Sequence, residues 1–284
     1  MIRPGPNGRK PAPAWLWPNL LGLDAPAVAV SWQLLFARTF DTDFPLVLHG
    51  ILGLSVWCIY LADRLYDTMR TDSTAAGTDR HLFTRKHFKP LAVALIIASA
   101  LNLVLIIRYV PERLVISGLI TALLLGTYYA IRLKSGTRIV SVIPREILCG
   151  MLFSLGCVIT PQAFEASGSI DTKLWLAAFS FGLICSASCL LISIWEKDED
   201  LATGDHSLAT LHPGIVNYLS GAIAVIAVLS ACLAILGPWQ IYVAVALAAC
   251  AQLATLRYET HLSKPMLRVI GDAVLLTPLL FIWV

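Results

Sequence analysis

Charge is scarce in this sequence: Asp, Glu, Lys and Arg make up 14% of its 284 residues, where soluble domains carry about 25%. The formal net charge is only +3, and no basic run is interleaved with aromatics, so nucleic acid is not expected as a partner. Glycine-rich phosphate loops are missing as well. Neither G-x-x-x-x-G-K-[ST] nor G-x-G-x-x-G occurs, which argues against a nucleotide motor or a dinucleotide fold and leaves phosphate recognition to metal ions and basic side chains. No histidine has a second one three or four residues on, H-E-x-x-H is absent, and the seven cysteines stand singly in apolar runs without a C-x-x-C pair. Zinc and disulfides are therefore not expected.

What is present instead is apolar. Hydrophobic residues make up 57% of the chain and the mean hydropathy is +0.75, which marks an all-α, polytopic membrane protein whose surroundings are lipid. Crossing about 30 Å of hydrocarbon takes roughly 17–25 residues. Nine stretches meet that length: 15–37, 44–62, 90–109, 112–131, 139–161, 174–195, 214–236, 239–256 and 266–284. The expected organisation is a polar, proline-rich cytoplasmic tail over 1–14 and a single domain of about nine transmembrane helices over 15–284. Asp24 and Pro26 interrupt the first stretch, as either a broken helix lining a cavity or an interfacial turn before a shorter helix. With the N-terminus inside, 16 of the 21 Lys and Arg residues fall on the cytoplasmic side and 4 on the other, the bias expected of cytoplasmic loops.

Two acidic pairs stand at the ends of apolar runs. Asp63 and Asp67 are four residues apart in YLADRLYD, and Glu196 and Asp200 repeat that spacing in WEKDED. On a helix each pair shares a face, and both fall on the cytoplasmic side. Taken singly, either pair is also what a solvated helix end looks like. Together, four hard oxygen donors suit one or two divalent cations, and Mg²⁺ prefers such ligands while keeping part of its shell for phosphate oxygens.

Other polar groups cluster on the same side. The connections from Thr68 to Lys89 and from Glu196 to Pro213 are long and polar, long enough for a cap over a site and equally ordinary as links between spans. Tyr128 and Arg132, one helical turn apart, project with Lys134 from the end of the fourth stretch; a guanidinium fork suits phosphate oxygens, and a basic flank with an interfacial tyrosine is the ordinary alternative. Arg145 and Glu146 follow Pro144 inside the fifth stretch, where charged residues face a cavity or one another; being adjacent, they point about 100° apart and each needs its own partner. Arg268 and Asp272, also one turn apart, are expected to pair structurally.

These residues resemble the UbiA superfamily of intramembrane prenyltransferases, which have nine transmembrane helices and two aspartate-rich cytoplasmic motifs. Asp63 and Asp67 match the aspartates of the family's N-x-x-x-D-x-x-x-D, with Ile59 at the asparagine position. Glu196, Asp200, Gly204 and then Ser207-Leu208-Ala209 match the second motif, with Glu in place of its first Asp. Tyr128 and Arg132 look like the family's Y-x-x-x-K.

The resemblance implies Mg²⁺-dependent transfer of an isoprenyl group from an isoprenyl diphosphate to an aromatic or other lipophilic acceptor. It places Asp63, Asp67, Glu196 and Asp200 as metal-holding catalytic residues, and Arg80, Tyr128, Arg132, Lys134 and Lys197 as diphosphate-binding ones. Trp57, Tyr60, Tyr66, Tyr128 and Trp195 lie on the right spans to wall a carbocation chamber, or to serve as interfacial anchors. The rival readings are a membrane terpene cyclase of the same superfamily, a transporter, and a non-catalytic membrane protein.

Overall fold

The computed structural model describes residues 13–70, 79–135, 144–165, 170–203 and 207–283. Every regular element among them is helical: α1 (Trp17–Leu21), α2 (Asp24–Thr39), α3 (Val47–Arg70), α4 (Asp79–Lys86), α5 (Phe88–Tyr109), α6 (Glu112–Ser135), α7 (Arg145–Ala163), α8 (Thr172–Trp195), α9 (Lys197–Thr203), α10 (Leu208–Leu211), α11 (Val216–Leu236), α12 (Trp239–Tyr258) and α13 (Lys264–Ala273), with short 3₁₀ turns between and after them. Six of the described helices are long and apolar enough to cross a membrane, and a bent pair makes a seventh. The chain is thus an all-α polytopic membrane protein, and among the described residues six or seven of the nine expected spans qualify. The stretch at 112–131 is helical throughout within α6. The last stretch leaves α geometry after Ala273 and continues as a 3₁₀ turn over Val274–Leu280, where Pro278 has no amide proton to donate.

The break in the first stretch is real. α1 and α2 meet at 79°, and Gly22 between them is left-handed at φ +70°. The amides of Gly22 and Leu23 turn back to Asn19 and Pro18 at 3.1 and 2.8 Å, a glycine C-cap of the usual kind. Carbonyls left over at the end of α1 are satisfied from α3: Arg64 donates to Leu20 O at 2.9 Å and to Asn19 O at 2.6 Å, and Trp57 Nε1 donates to Leu21 O at 2.9 Å. A buried arginine is acceptable here because exposed backbone oxygens in an apolar surround would cost more than the bonds that quench them.

Between spans the packing relies on small residues and hydroxyls rather than bulk, since lipid offers no hydrophobic drive for helices to associate. A Cβ on Gly150 of α7 would lie 2.3 Å from Ser186 N of α8, so the two backbones touch. Ser186 Oγ donates to Ile147 O at 3.1 Å and Ser154 Oγ to Ala178 O at 2.6 Å across the same seam. α8 is the most deeply buried span. Phe181 on it stacks on Trp32 of α2 with centroids 3.9 Å apart, and Gln252 of α12 donates to Ile184 O at 3.2 Å. Ser188 Oγ bonds Gly271 O of α13 at 2.6 Å, which brings the last helix against the end of α8 that carries the second acidic pair.

Candidate active site

A cavity of about 970 Å³ opens between α3, α4, α6, α7, α8 and α13. Its apolar wall includes Leu52, Val56, Phe153, Ile192 and Leu275, and its polar wall is built from helix ends: Asp63 and Asp67 of α3, Arg80 and His81 of α4, Arg145 and Glu146 of α7, Glu196 and Asp200 flanking the start of α9, and Arg268 of α13. The second pair keeps its one-turn spacing although α8 ends at Trp195, because the Asp200 amide donates to Glu196 O at 2.9 Å and carries the helical hydrogen bonding across the break.

Glu196 sits in a knot of arginines. Its Oε2 is 2.5 Å from Arg268 Nη1 and 3.9 Å from Arg80 Nη2. The same two guanidiniums donate to the Tyr60 hydroxyl, Arg268 Nη2 at 3.1 Å and Arg80 Nη1 at 3.2 Å. Burial by itself would raise the Glu196 pKa, but Arg268 and then Arg80 outweigh it and bring the carboxyl down to about 2, because a buried ion is held charged by adjacent opposite charge. His81 behaves oppositely. Burial first, and the neighbouring Arg80 charge second, lower its pKa to about 4, so it is neutral near pH 7.

Arg145 and Glu146 pair with each other although about 100° of helix rotation separates them, and each also has a further partner. Arg145 reaches Asp200 Oδ2 at 4.0 Å, and is 3.9 Å from Glu146 Oε1. That oxygen of Glu146, only 2% exposed, accepts from Ser193 Oγ at 3.0 Å and from the Leu208 amide at 3.1 Å. A carboxylate at a helix start quenches an otherwise orphaned amide, and here it ties the Ser207-Leu208-Ala209 stretch to α7 and α8. Ser207 completes the turn through a capping box with Thr210.

All four acidic residues singled out from the sequence, together with Arg80, line this one cavity, more than 120 residues apart though the pairs are. Lys197 is half-buried and is not among the lining residues. The side chains of Tyr128, Arg132 and Lys134 lie outside the described residues, as do Gly204 and the tail over 1–12. Of the expected aromatic walls, Tyr60 lines the cavity while Trp57 and Trp195 do not; their indoles serve Leu21 O and Glu259 Oε2, and Phe153 takes a place on the wall that the sequence did not announce. Arg268 is the main residue missed. It gives its contacts to Glu196 and Tyr60, while Asp272 and Asp24 both accept from Asn19 Nδ2, Asp272 at 3.4 Å.

The donor set can be tested for Mg²⁺. Among the described residues no group of three or more His, Cys, Asp or Glu side chains stands close enough to form a protein cage for a metal. Mg²⁺ does not require one: it binds through one or two carboxylates with waters and phosphate oxygens filling the rest. Asp63 and Asp67 fit that mode, and Asp200 faces the same cavity. Glu196 stands on the same cavity with its carboxylate clamped by Arg268, and Asp200 lies 4.0 Å from Arg145.

The model of the UbiA prenyltransferase family matches residues 24–265, most of the chain and every residue of both acidic pairs. No curated protein and no solved structure matches.

Proposed function

The chain belongs to the UbiA prenyltransferase family, and from that premise we propose that it transfers an isoprenyl group from an isoprenyl diphosphate to a lipophilic acceptor within this cavity. The observation that carries the reading is the cavity's two-sided lining. Acidic and basic helix ends form one wall, where a diphosphate and its cation would sit, and aliphatic side chains with Phe153 form the other, where a prenyl chain would lie.

In this reading Asp63, Asp67 and Asp200 hold Mg²⁺, with Glu196 beside them. Mg²⁺ bound there supplies Lewis-acid stabilisation of the charge that grows on the departing diphosphate. Arg80 adds donors to the same group, as would Tyr128, Arg132 and Lys134 at the end of α6 by the family resemblance, whereas Lys197, off the cavity wall, does not. The allylic C–O bond breaks with its electron pair leaving on the diphosphate. A nucleophilic atom of the acceptor then bonds the allylic carbon and gives up its proton. The apolar wall keeps water away from the cation, and the ring of Phe153 offers it a π face, worth about 0.5–2 kcal/mol. Ile59 lines the cavity where the family has asparagine, so this chain has one polar group fewer for the cation and leans on the carboxylates. The loop bias of 16 to 4 basic residues supports a cytoplasmic N-terminus and a cavity mouth on that side, within a single transmembrane domain over 15–284.

The test is diphosphate release from farnesyl, geranylgeranyl and longer isoprenyl diphosphates, with a panel of aromatic acceptors, in Mg²⁺ and in chelator. Mg²⁺-dependent release coupled to a prenylated acceptor supports the reading. A cyclised hydrocarbon formed without acceptor would instead assign a cyclase.

A further inference from the structure

Two arginines on the cavity wall hold hydrogen-bond donors that the surrounding protein does not use. Arg80 Nε and Arg268 Nε are buried and have no acceptor among the described residues, and native proteins seldom keep such groups without reason. Both guanidiniums converge on two oxygens contributed by different helices, the Tyr60 hydroxyl and Glu196 Oε2. One carboxylate therefore stands among donors enough for a larger, more highly charged anion. Planar guanidinium forks are matched to phosphate oxygens in just this way.

Resting on the reading that the cavity takes an isoprenyl diphosphate, we propose that Arg268 and Arg80 are the pair that holds the diphosphate, and that Glu196 is an internal anion occupying them until the diphosphate takes its place. A diphosphate has more acceptor oxygens than a carboxylate and can reach the idle Nε donors as well as those now spent on Glu196. The Tyr60 hydroxyl, between the two forks, sets their separation. Once displaced, the Glu196 carboxylate is free to join Asp63, Asp67 and Asp200 around a divalent cation. Diphosphate and cation then each strengthen the other's binding, since such coupling is reciprocal.

The experiment is calorimetric titration of the full chain in nanodiscs with inorganic diphosphate, first in chelator and then in Mg²⁺. In chelator, Glu196→Gln should bind diphosphate about tenfold more tightly than wild type, the scale of one charge-assisted hydrogen bond no longer competed for. The enhancement by Mg²⁺ should shrink in the same variant. Arg268→Gln in the Glu196→Gln background removes the cation together with the carboxylate it clamps, and should bind about tenfold more weakly than Glu196→Gln, with thermal unfolding in the nanodisc showing that both variants are folded. Unchanged, weaker or undetectable metal-free binding in Glu196→Gln overturns the proposal, as does undiminished binding in the double variant. Turnover of an isoprenyl diphosphate without the Glu196 effect removes this inference and leaves the transferase standing. The binding pattern without turnover of any isoprenyl diphosphate removes the transferase and leaves the anion site.

Discussion

The hydroxyl of Tyr60 accepts a hydrogen bond from Arg268 Nη2 at 3.1 Å across 208 residues of sequence. That bond joins the helix carrying the first acidic pair to the last helix of the chain, and Arg80 shares the same oxygen at 3.2 Å. Tyr60 also lies under the Arg64 guanidinium, 4.7 Å from ring centroid to Cζ, so one side chain links three arginines.

Tyr60→Phe separates these roles. It keeps the ring under Arg64 and deletes the oxygen between Arg80 and Arg268. Diphosphate release should fall roughly tenfold in kcat/KM, the scale of one or two hydrogen bonds to charged groups. Steady-state kinetics with any turned-over isoprenyl diphosphate checks this; wild-type kcat/KM would mean that the phenol oxygen has no part in arranging the arginines.

Gly22→Ala tests the break between α1 and α2. A Cβ there would be 3.2 Å from Tyr60 Cδ1 in a left-handed backbone at φ +70°, and that conformation costs a side-chain-bearing residue about 1–2 kcal/mol. Thermal unfolding in detergent should show a lowered Tm. Gly221→Ala is the control, because nothing lies within 4 Å of its Cβ position and alanine favours a helix interior by about 0.8–1 kcal/mol over glycine; its Tm should hold or rise.

The pH response follows from His81 and Glu196. A folded-state His81 pKa of about 4, below the ordinary imidazole value of 6.5, means the unfolded chain takes up a proton first. Stability is complete above pH 6.5 and declines as pH falls from 6.5 toward 4. Glu196, lowered to about 2, contributes stability that is complete above its unfolded value of 4.5 and is lost only as pH falls through 2. A Tm series from pH 7.5 to 5 should therefore slope downward in wild type and flatten in His81→Gln. An identical slope in the two proteins would assign the decline to other groups.

How far the site could be read from the sequence depended on whether partners lay on one helix. Asp63 with Asp67 and Glu196 with Asp200 each follow the helical repeat at the end of a run too apolar for charge, so their shared faces were legible and their placement on one cavity could be anticipated. Arg268 was not legible. Asp272 one turn away offered a nearer partner in sequence, and no periodicity tells which distant helix packs across; the contact to Glu196 exists because Ser188 draws Gly271 against α8. Aromatics in apolar runs such as Trp57 and Trp195 suit a carbocation wall and an interfacial anchor equally. A buried indole N–H also needs an acceptor, and the carbonyl at the end of α1 and the Glu259 carboxylate that supply it are tertiary facts. The bend near Asp24 is made by the glycine at position 22 and held by Arg64 from α3, a tertiary contact that no local pattern announces.

The proposed transfer requires carboxylates from two distant helix ends to act together on a diphosphate, and a single kinetic comparison measures this. Diphosphate release is followed for wild type, Asp63→Asn and Asp200→Asn, each with Mg²⁺ and with chelator, on protein whose Tm matches wild type. Each substitution keeps side-chain size and deletes one negative oxygen ligand, so both variants should lose most activity, with the loss mainly in kcat because the metal acts on charge that develops in the transition state. Wild-type release should cease in chelator. Release indifferent to chelator, or near wild-type rates in both Asn variants, would contradict the claim and leave the two pairs as ordinary solvated helix ends.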